Sequence, residues 1–186
     1  MQDNRISGVL IFALLTAVVH PVSGLASELG FKGNLLDRPC QVAAESLQQE
    51  VVFKTRPAKD FWYSPGYSPA ESFSVKLVNC HPSTMGKVVH LTFGGVSEPA
   101  LPGYLQVGGV NRGRLGIGIL DTDGETLLPL GGSHNKGNGT EVTRESVTLT
   151  YRARVQATPE AISARSVEPG DYDALATFEL HDQVTR

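Results

Sequence analysis

The chain has 186 residues, of which 16 are Lys or Arg and 19 are Asp or Glu, and its formal net charge is -3 at pH 7. The basic residues are scattered along the chain, so neither charge nor pattern indicates a nucleic-acid-binding surface. A chain of this length suits one globular domain.

The first 26 residues have the pattern of a secretory signal peptide. A short polar segment precedes an apolar run of 11 residues, 9–19, and small residues follow at Gly24 and Ala26, two positions that a signal peptidase reads. We expect cleavage after Ala26, with Gly24 as the next choice. The apolar run is shorter than the roughly 20 residues that span a bilayer, so we expect no membrane anchor.

Every second residue is apolar or glycine just after this signal. These residues are Leu29, Phe31, Gly33 and Leu35. A strand with one apolar face needs a partner sheet that buries this face, and a chain terminus is loosely held unless something ties it down. The residues alone leave two interpretations open: an edge strand folded onto its own domain, or a strand that docks into a partner.

Two cysteines, Cys40 and Cys80, lie in the exported part of the chain. In an oxidising compartment such a pair most simply forms one disulfide. A metal site built on them would need further ligands, and none lie nearby at metal-binding spacing. We therefore expect a disulfide that closes a loop of roughly forty residues and constrains the unfolded chain by about 4 kcal/mol.

Alternation and turn signals predict β-strands through the rest of the mature chain. In chain order the strands cover 73–80, 88–93, 115–120, 147–155 and a last segment that starts after Gly170. A turn is predicted at 121–124, long connections at 55–70 and 131–139, and a turn or two of helix only at 159–165. This organisation predicts an antiparallel β-sandwich in one domain.

No motif for catalysis or metal binding stands out. Residues 121–125 resemble the start of a calcium loop, but Gly132 occupies the twelfth position, where an EF-hand has its bidentate carboxylate. The glycine-rich stretch 131–139 lacks the Gly-Lys-Ser/Thr end of a phosphate-binding loop. The histidines of the mature chain are dispersed: His81, His90, His134 and His181. We therefore expect no enzyme activity, no cofactor and no metal.

Aromatic residues cluster in the first long connection, at Phe61, Trp62, Tyr63 and Tyr67. Such a cluster either packs a loop onto its own sandwich or forms a surface on which sugars stack. The packing role is at least as frequent. The sugar-binding role gives the alternative function, a secreted carbohydrate-binding, adhesin-like β-sandwich.

Several segments taken together resemble the chaperone–usher fimbrial (pilus) subunit family. They are Phe-Lys-Gly-Asn-Leu-Leu-Asp-Arg-Pro-Cys at 31–40, Phe-Ser-Val-Lys-Leu-Val-Asn-Cys at 73–80, and the stretches 113–124 and 170–180. The resemblance extends through nearly all of the mature chain and is closest to the minor subunits that serve as tip-fibrillum adaptors of P pili. It implies an all-β, incomplete immunoglobulin-like sandwich, a six-stranded pilin fold that lacks its last strand. The implied organisation is a signal peptide at 1–26, an N-terminal donor-strand extension at 27–38 and a pilin domain at 39–186.

The resemblance also implies a structural, non-enzymatic role. Such a subunit is exported through the periplasm to the fimbrium at the cell surface, and an adaptor links tip fibrillum to rod in cell adhesion. A periplasmic chaperone fills the groove left by the missing strand, and at the outer-membrane usher the extension of the next subunit replaces the chaperone strand. The expected partners are therefore the chaperone, the usher and neighbouring pilus subunits, without nucleic acid or stable membrane insertion.

The resemblance assigns roles to individual residues. Cys40 and Cys80 match the disulfide of the family. The residues that match the donor strand are Leu29, Phe31, Gly33 and Leu35. Gly33 matches a glycine that faces a shallow pocket without room for a side chain. The residues that match the last strand, which lines the groove and pairs with the chaperone, are Tyr172, Ala174, Ala176, Phe178 and Leu180.

The chain departs from the family pattern at its C-terminus. Asp182 stands where the family has a tyrosine, and four further residues, 183–186, follow. In the family the chaperone anchors the terminal carboxylate with basic side chains. The departure implies chaperone binding that is weaker, shifted in register or adapted to a variant chaperone; a damaged gene end is the remaining interpretation.

Overall fold

The computed structural model describes residues 40–182, without the side chain of Asp182. The chain divides into two units, residues 1–36 and 37–186, and all the described residues belong to the second. The predicted signal peptide and the predicted donor strand lie outside the described residues. None of the helices within 40–182 has the length and apolar character that crossing a membrane requires.

The described residues form eight β-strands and two short α-helices. In chain order they are β1 Gln41–Val42, α1 Ala44–Leu47, β2 Glu71–Val78, β3 Val88–Gly95, β4 Leu105–Gln106, β5 Leu115–Leu120, β6 Thr140–Glu141, β7 Val147–Ala157, α2 Pro159–Ala164 and β8 Ala176–Asp182. Short 3-10 helices lie at Ala58–Phe61, Pro82–Thr84 and Gly109–Asn111.

The strands form two antiparallel sheets. One has the order β1-β2-β7-β5-β4, and the other has the order β6-β3-β8. Side chains of both sheets meet in one apolar core, which includes Leu77 and Val155 from the first sheet and Val89 and Leu91 from the second. This arrangement confirms the predicted antiparallel sandwich.

The strand β7 illustrates how the sequence pattern sets the core. Every second side chain from Leu149 to Ala157 is buried, while Thr148, Thr150 and Arg152 on the other face of the strand are exposed. Successive side chains of a strand point to opposite faces, so one face of β7 packs into the sandwich and the other contacts solvent. Burial of the apolar face stabilises the fold by roughly 1.5–3 kcal/mol for each large side chain.

The structure corrects two predictions about elements. The last strand was predicted to include Tyr172 and Ala174, but β8 begins at Ala176, because its ladder with β3 ends at the pair Gly95–Ala176. Beyond that pair, Val96 accepts a hydrogen bond from Gln106 N–H and turns away from β8. The helix α1 and the strands β1, β4 and β6 were not predicted, because segments of two to four residues are too short for a periodic pattern.

The predicted disulfide joins Cys40 and Cys80, which are both buried, with their Cα atoms 4.0 Å apart. Cys40 immediately precedes β1 and Cys80 follows β2, and Gln41 pairs with Val78 between them. The bond therefore closes the open end of this antiparallel pair.

Removing the disulfide should lower the free energy of unfolding substantially. We expect a loss of about 4 kcal/mol for the double variant Cys40→Ser/Cys80→Ser, because the closed loop restricts the unfolded chain. Urea unfolding of both proteins checks this value. Reductant should bring the wild type to the midpoint of the variant and leave the variant unchanged; equal midpoints without reductant would contradict the prediction.

Candidate functional site: an apolar groove along the core

An open groove of about 600 Å³ runs along the core. One wall is the segment 46–51 together with Phe53, and the other wall is the segment 172–176 together with Phe178. Apolar side chains from five strands form the floor: Phe73, Val75, Phe93, Leu105, Ile117, Ile119 and Ala153. The groove therefore opens the interior of the sandwich to solvent along a line between two chain segments.

Both walls present main-chain groups without strand partners among the described residues. Among the described residues β8 pairs with β3 alone, and its second edge faces the groove. Residues 49–56 make no main-chain to main-chain hydrogen bond within 40–182, and the Gln49 side chain holds this segment by donating to the Ser74 carbonyl at 2.9 Å. Unpaired main-chain groups beside an apolar surface are the features that a further strand satisfies.

The second wall contains most of the residues that the sequence predicted for the last strand. Tyr172, Ala174, Ala176 and Phe178 line the groove. Leu180 lies opposite Leu91 in the β3–β8 ladder and packs against the core, and it is not among the residues that line the groove. Four of the five predicted side chains are thus brought together on one wall.

One end of the groove holds a cluster of aromatic rings. Phe93 makes edge contacts with Tyr151 and Phe178, with ring centroids 5.0 and 6.2 Å apart, and Phe73 stacks on Tyr151 at 5.7 Å. Aromatic pairs at these distances contribute about 0.5–1.5 kcal/mol beyond their buried area. The cluster gives the floor of the groove a rigid aromatic base at this end.

The other end is defined by Phe53 and Tyr172, whose ring centroids lie 6.3 Å apart across the groove. Burial raises the pKa of the Tyr172 hydroxyl, so this group stays protonated at neutral pH. The wall that carries Phe53 was not predicted from the sequence. A signal was present, since half-buried Val51 and Phe53 alternate with the exposed residues Val52 and Lys54.

The polar residues considered for metal binding serve the fold. The buried Asp121 carboxylate accepts hydrogen bonds from the main-chain N–H groups of Thr122, Asn135 and Lys136, at 2.7, 2.8 and 2.8 Å. The Thr126 hydroxyl and the main-chain N–H groups of Glu125 and Thr126 donate to the Asp123 carboxylate, and these hydrogen bonds hold its pKa far below the usual range. Among residues 40–182 the structure brings no three metal-ligating side chains together.

His134 is a fully buried core residue. Its Nδ1 accepts a hydrogen bond from Leu91 N–H at 2.9 Å, so the proton of the neutral ring is on Nε2, which donates to the Thr140 hydroxyl at 2.8 Å. Burial lowers the pKa of His134, because the charged ring would lose its hydration.

The low pKa of His134 predicts a loss of stability in mild acid. Below about pH 6.5 an unfolded histidine takes up a proton that the folded ring resists, so the unfolded state binds more protons and stability decreases as the pH falls. The urea midpoint of the wild type should therefore be lower at pH 5.5 than at pH 7.5. His134→Gln should flatten this difference, whereas the exposed His181→Gln should leave it in place; an unchanged slope in His134→Gln would contradict the assignment.

The aromatic connection packs on its own sandwich. Phe61 is buried, and the Trp62 indole N–H donates to the Val167 carbonyl at 2.9 Å. Tyr63 and Tyr67 are exposed and lie under guanidinium groups, those of Arg165 at 5.2 Å and Arg154 at 4.8 Å. These contacts account for the cluster without a sugar.

Comparison with known proteins identifies the family. The family model described as "Fimbrial protein" matches residues 29–182. The chain is 58% identical over 167 residues to "Fimbrial adapter PapK" of Escherichia coli, which covers 90% of this chain and 94% of that one. It is 28% identical to "Putative minor fimbrial subunit PmfF" of Proteus mirabilis over 86% of each chain.

Solved structures share the fold. The crystal structure of the P pilus rod subunit PapA superposes with a TM-score of 0.65 at 23% identity, and the match covers 78% of this chain and 100% of that one. This likeness confirms the all-β pilin fold predicted from the sequence. The relatives are fimbrial subunits and not enzymes, as expected. The alternating strands, the disulfide that clamps β1 to β2 and the groove along the core are thus those of a fimbrial subunit, and the chain belongs to the fimbrial protein family.

Proposed function

We propose that the protein is a structural minor subunit of a chaperone–usher pilus that assembles by donor-strand exchange. The observation that carries this proposal is the apolar groove between two unpaired main-chain edges. A strand inserted there would satisfy the main-chain groups of β8 and of residues 49–56, and its alternate side chains would cover the floor. An apolar groove of this kind left empty is an aggregation hazard, which is the physical reason for a dedicated chaperone.

The same proposal extends to the parts of the chain beyond the described residues. We assign residues 1–26 to the signal peptide, 27–38 to the donor-strand extension and 39–186 to the pilin domain. The extension, through Leu29, Phe31, Gly33 and Leu35, fills the groove of a neighbouring subunit. The protein passes through the periplasm with its chaperone and reaches the fimbrium through the usher.

A curated relative supports the proposed position in the pilus. "Fimbrial adapter PapK" is 58% identical over nearly the whole chain, which supports an adaptor that links tip fibrillum to rod in cell adhesion. The alternative of a carbohydrate-binding adhesin has no observation in its favour, because Phe61 and Trp62 are used in packing.

The proposal is tested by co-purification from the periplasm with a tagged pilus chaperone of the P-pilus type. We expect a one-to-one complex that releases the chaperone when a peptide of a neighbouring subunit's extension is added. The matched variant has Asp182→Tyr and Gln183→Arg and ends at position 183, which restores the family's C-terminus.

The outcomes distinguish an effect of the C-terminal residues from an error in the proposed mechanism. If only the restored variant binds, the family mechanism holds and the natural end is what weakens chaperone binding. If neither protein binds and both stay soluble monomers alone, their sandwich needs no added strand and donor-strand exchange is wrong for this protein.

A further inference from the structure

The mouth of the groove carries its own pattern of side chains, distinct from the floor. We define the mouth residues as Glu50 and Val52 on one wall and Asp173 and Leu175 on the other. All four are exposed, and Leu175 and Val52 are the two most exposed large apolar side chains of the described residues, at 81% and 71%. Exposed apolar side chains at the rim of a groove are positioned to contact a strand that enters it.

The mouth residues lie at one end of the groove. Glu50, Asp173 and Leu175 are among the residues that line it. Val52 and Asp173 adjoin Phe53 and Tyr172, whose rings meet across the groove at 6.3 Å. Successive side chains of an extended segment point to opposite sides. Phe53 faces the floor of the groove, so Val52 points away from the floor. Ala174 and Ala176 also face the floor, so Leu175 between them points away from it.

The charges at the mouth are acidic and unpaired. Neither the Glu50 nor the Asp173 carboxylate has an ion-pair partner among residues 40–182. Lys54 is the nearest basic residue along the first wall, two positions beyond Val52. A strand inserted between the walls would therefore have an outward face that lies between two acidic and two apolar side chains.

We propose that the mouth residues select a strand whose outward face carries Lys or Arg, and that this strand is the N-terminal extension of a neighbouring pilus subunit. Side chains on the same face of adjacent strands lie about 4.5–5.5 Å apart, so an outward residue contacts both walls. Only Lys and Arg combine an aliphatic stem that covers Leu175 and Val52 with a positive head that reaches Asp173 or Glu50. The extension of this chain has such a residue, Lys32, between Phe31 and Gly33.

This inference rests on the proposed function and adds a second criterion for partner choice. The groove floor discriminates between incoming strands by the size of their inward side chains. The mouth residues discriminate between them by the charge and the length of their outward side chains. Charge complementarity at an interface contributes more to specificity than to total affinity, so we expect the mouth to discriminate between extensions that fit the floor equally well.

The test is a competition between peptides that differ only at one outward position. The peptides have the sequence of the neighbouring subunit's extension that is used in the co-purification test above. They carry Lys, Ser, Glu or 2,4-diaminobutyrate at the outward position that corresponds to Lys32, the last having the charge of Lys on a shorter stem. Equal amounts are added to the chaperone complex of the full mature chain, and mass spectrometry measures the peptides retained. We expect Lys to exceed Glu by about tenfold at low salt and by about twofold in 0.5 M NaCl.

Variants of the subunit test whether the mouth residues cause the preference for Lys over Glu. Glu50→Gln/Asp173→Asn should bring the Lys-to-Glu ratio to about one, while Glu125→Gln, an exposed acid on the 121–127 turn, should leave it unchanged. Lys should also exceed 2,4-diaminobutyrate in the wild type and lose this advantage in Leu175→Ser.

The possible failures are distinguishable. Equal retention of all four peptides by the wild type would overturn the inference and leave donor-strand exchange intact. A preference that survives neutralisation of both acids would overturn the role of the mouth residues. Retention of no peptide would overturn the proposed function itself, and the inference with it.

Discussion

Ala176→Phe should abolish binding of an added strand while the subunit still folds. Ala176 is an exposed residue of β8 whose side chain lines the groove, so a phenyl ring there occupies the space that an incoming side chain needs. Because the ring enters open volume and not a packed core, overpacking of the subunit itself should be small. Because the chaperone strand occupies the same groove, we expect the amount of complex recovered by co-purification with the tagged chaperone to fall by at least about tenfold.

The adjacent residue provides the control. Thr177 lies on the same strand and is exposed, and its side chain faces away from the groove, toward Gly94 on the outer face of the sheet. Thr177→Phe adds a ring of the same size to the same strand without filling the groove. Equal loss of binding in both variants would show a general defect of β8 and would contradict the blocking mechanism.

Asp121→Asn should destabilise the fold strongly without touching the groove. The buried carboxylate joins the turn after β5 to the 131–139 connection through the N–H groups of Asn135 and Lys136. An amide has one accepting oxygen, and its NH2 group would face one of these donors. We expect a loss of about 2–3 kcal/mol in the free energy of unfolding, which corresponds to a charge-assisted hydrogen bond.

The comparison for this variant is Asp123→Asn, two residues along the same turn. Asp123 is exposed, caps its own turn and reaches the 131–139 connection through an exposed ion pair with Lys136 Nζ at 3.4 Å. Exposed ion pairs contribute little, so replacing Asp123 should change the urea midpoint much less. Amide hydrogen exchange at Asn135 and Lys136 gives a second measurement, and it should accelerate in Asp121→Asn alone. Equal effects of the two substitutions would contradict the bridging role of Asp121.

Periodic strands were predictable from the sequence because their pattern has a direct physical cause. The alternation in 147–155 predicts a strand with one buried face, and β7 has this face from Leu149 to Ala157. The cysteines were predictable for a different reason, since an exported pair has one simple chemical outcome, and Cys40 and Cys80 are bonded. In both cases the decisive information is local or compositional.

The candidate site was predictable in part. Its second wall follows from alternation and from the family resemblance, and Tyr172, Ala174, Ala176 and Phe178 line the groove. The first wall was missed, because residues 49–56 form no ladder within 40–182 and the alternation at 51–54 is too short to predict a strand. The tertiary role of Asp121 was also missed, since a carboxylate in a turn gives no sign in the sequence that a distant loop donates to it.

The two walls of the groove come from opposite ends of the domain. Residues 46–53 and 172–178 are separated by more than a hundred positions, and the floor between them comes from five strands that lie between these segments in the sequence. The entropy of closing so long a loop opposes contacts between the two segments, which makes these contacts slow to form. A chain in which one of the two segments has not yet docked lacks one wall of the groove. A partner that must contact both walls binds only a subunit in which both segments have docked. Binding for assembly therefore also excludes subunits that have not finished folding.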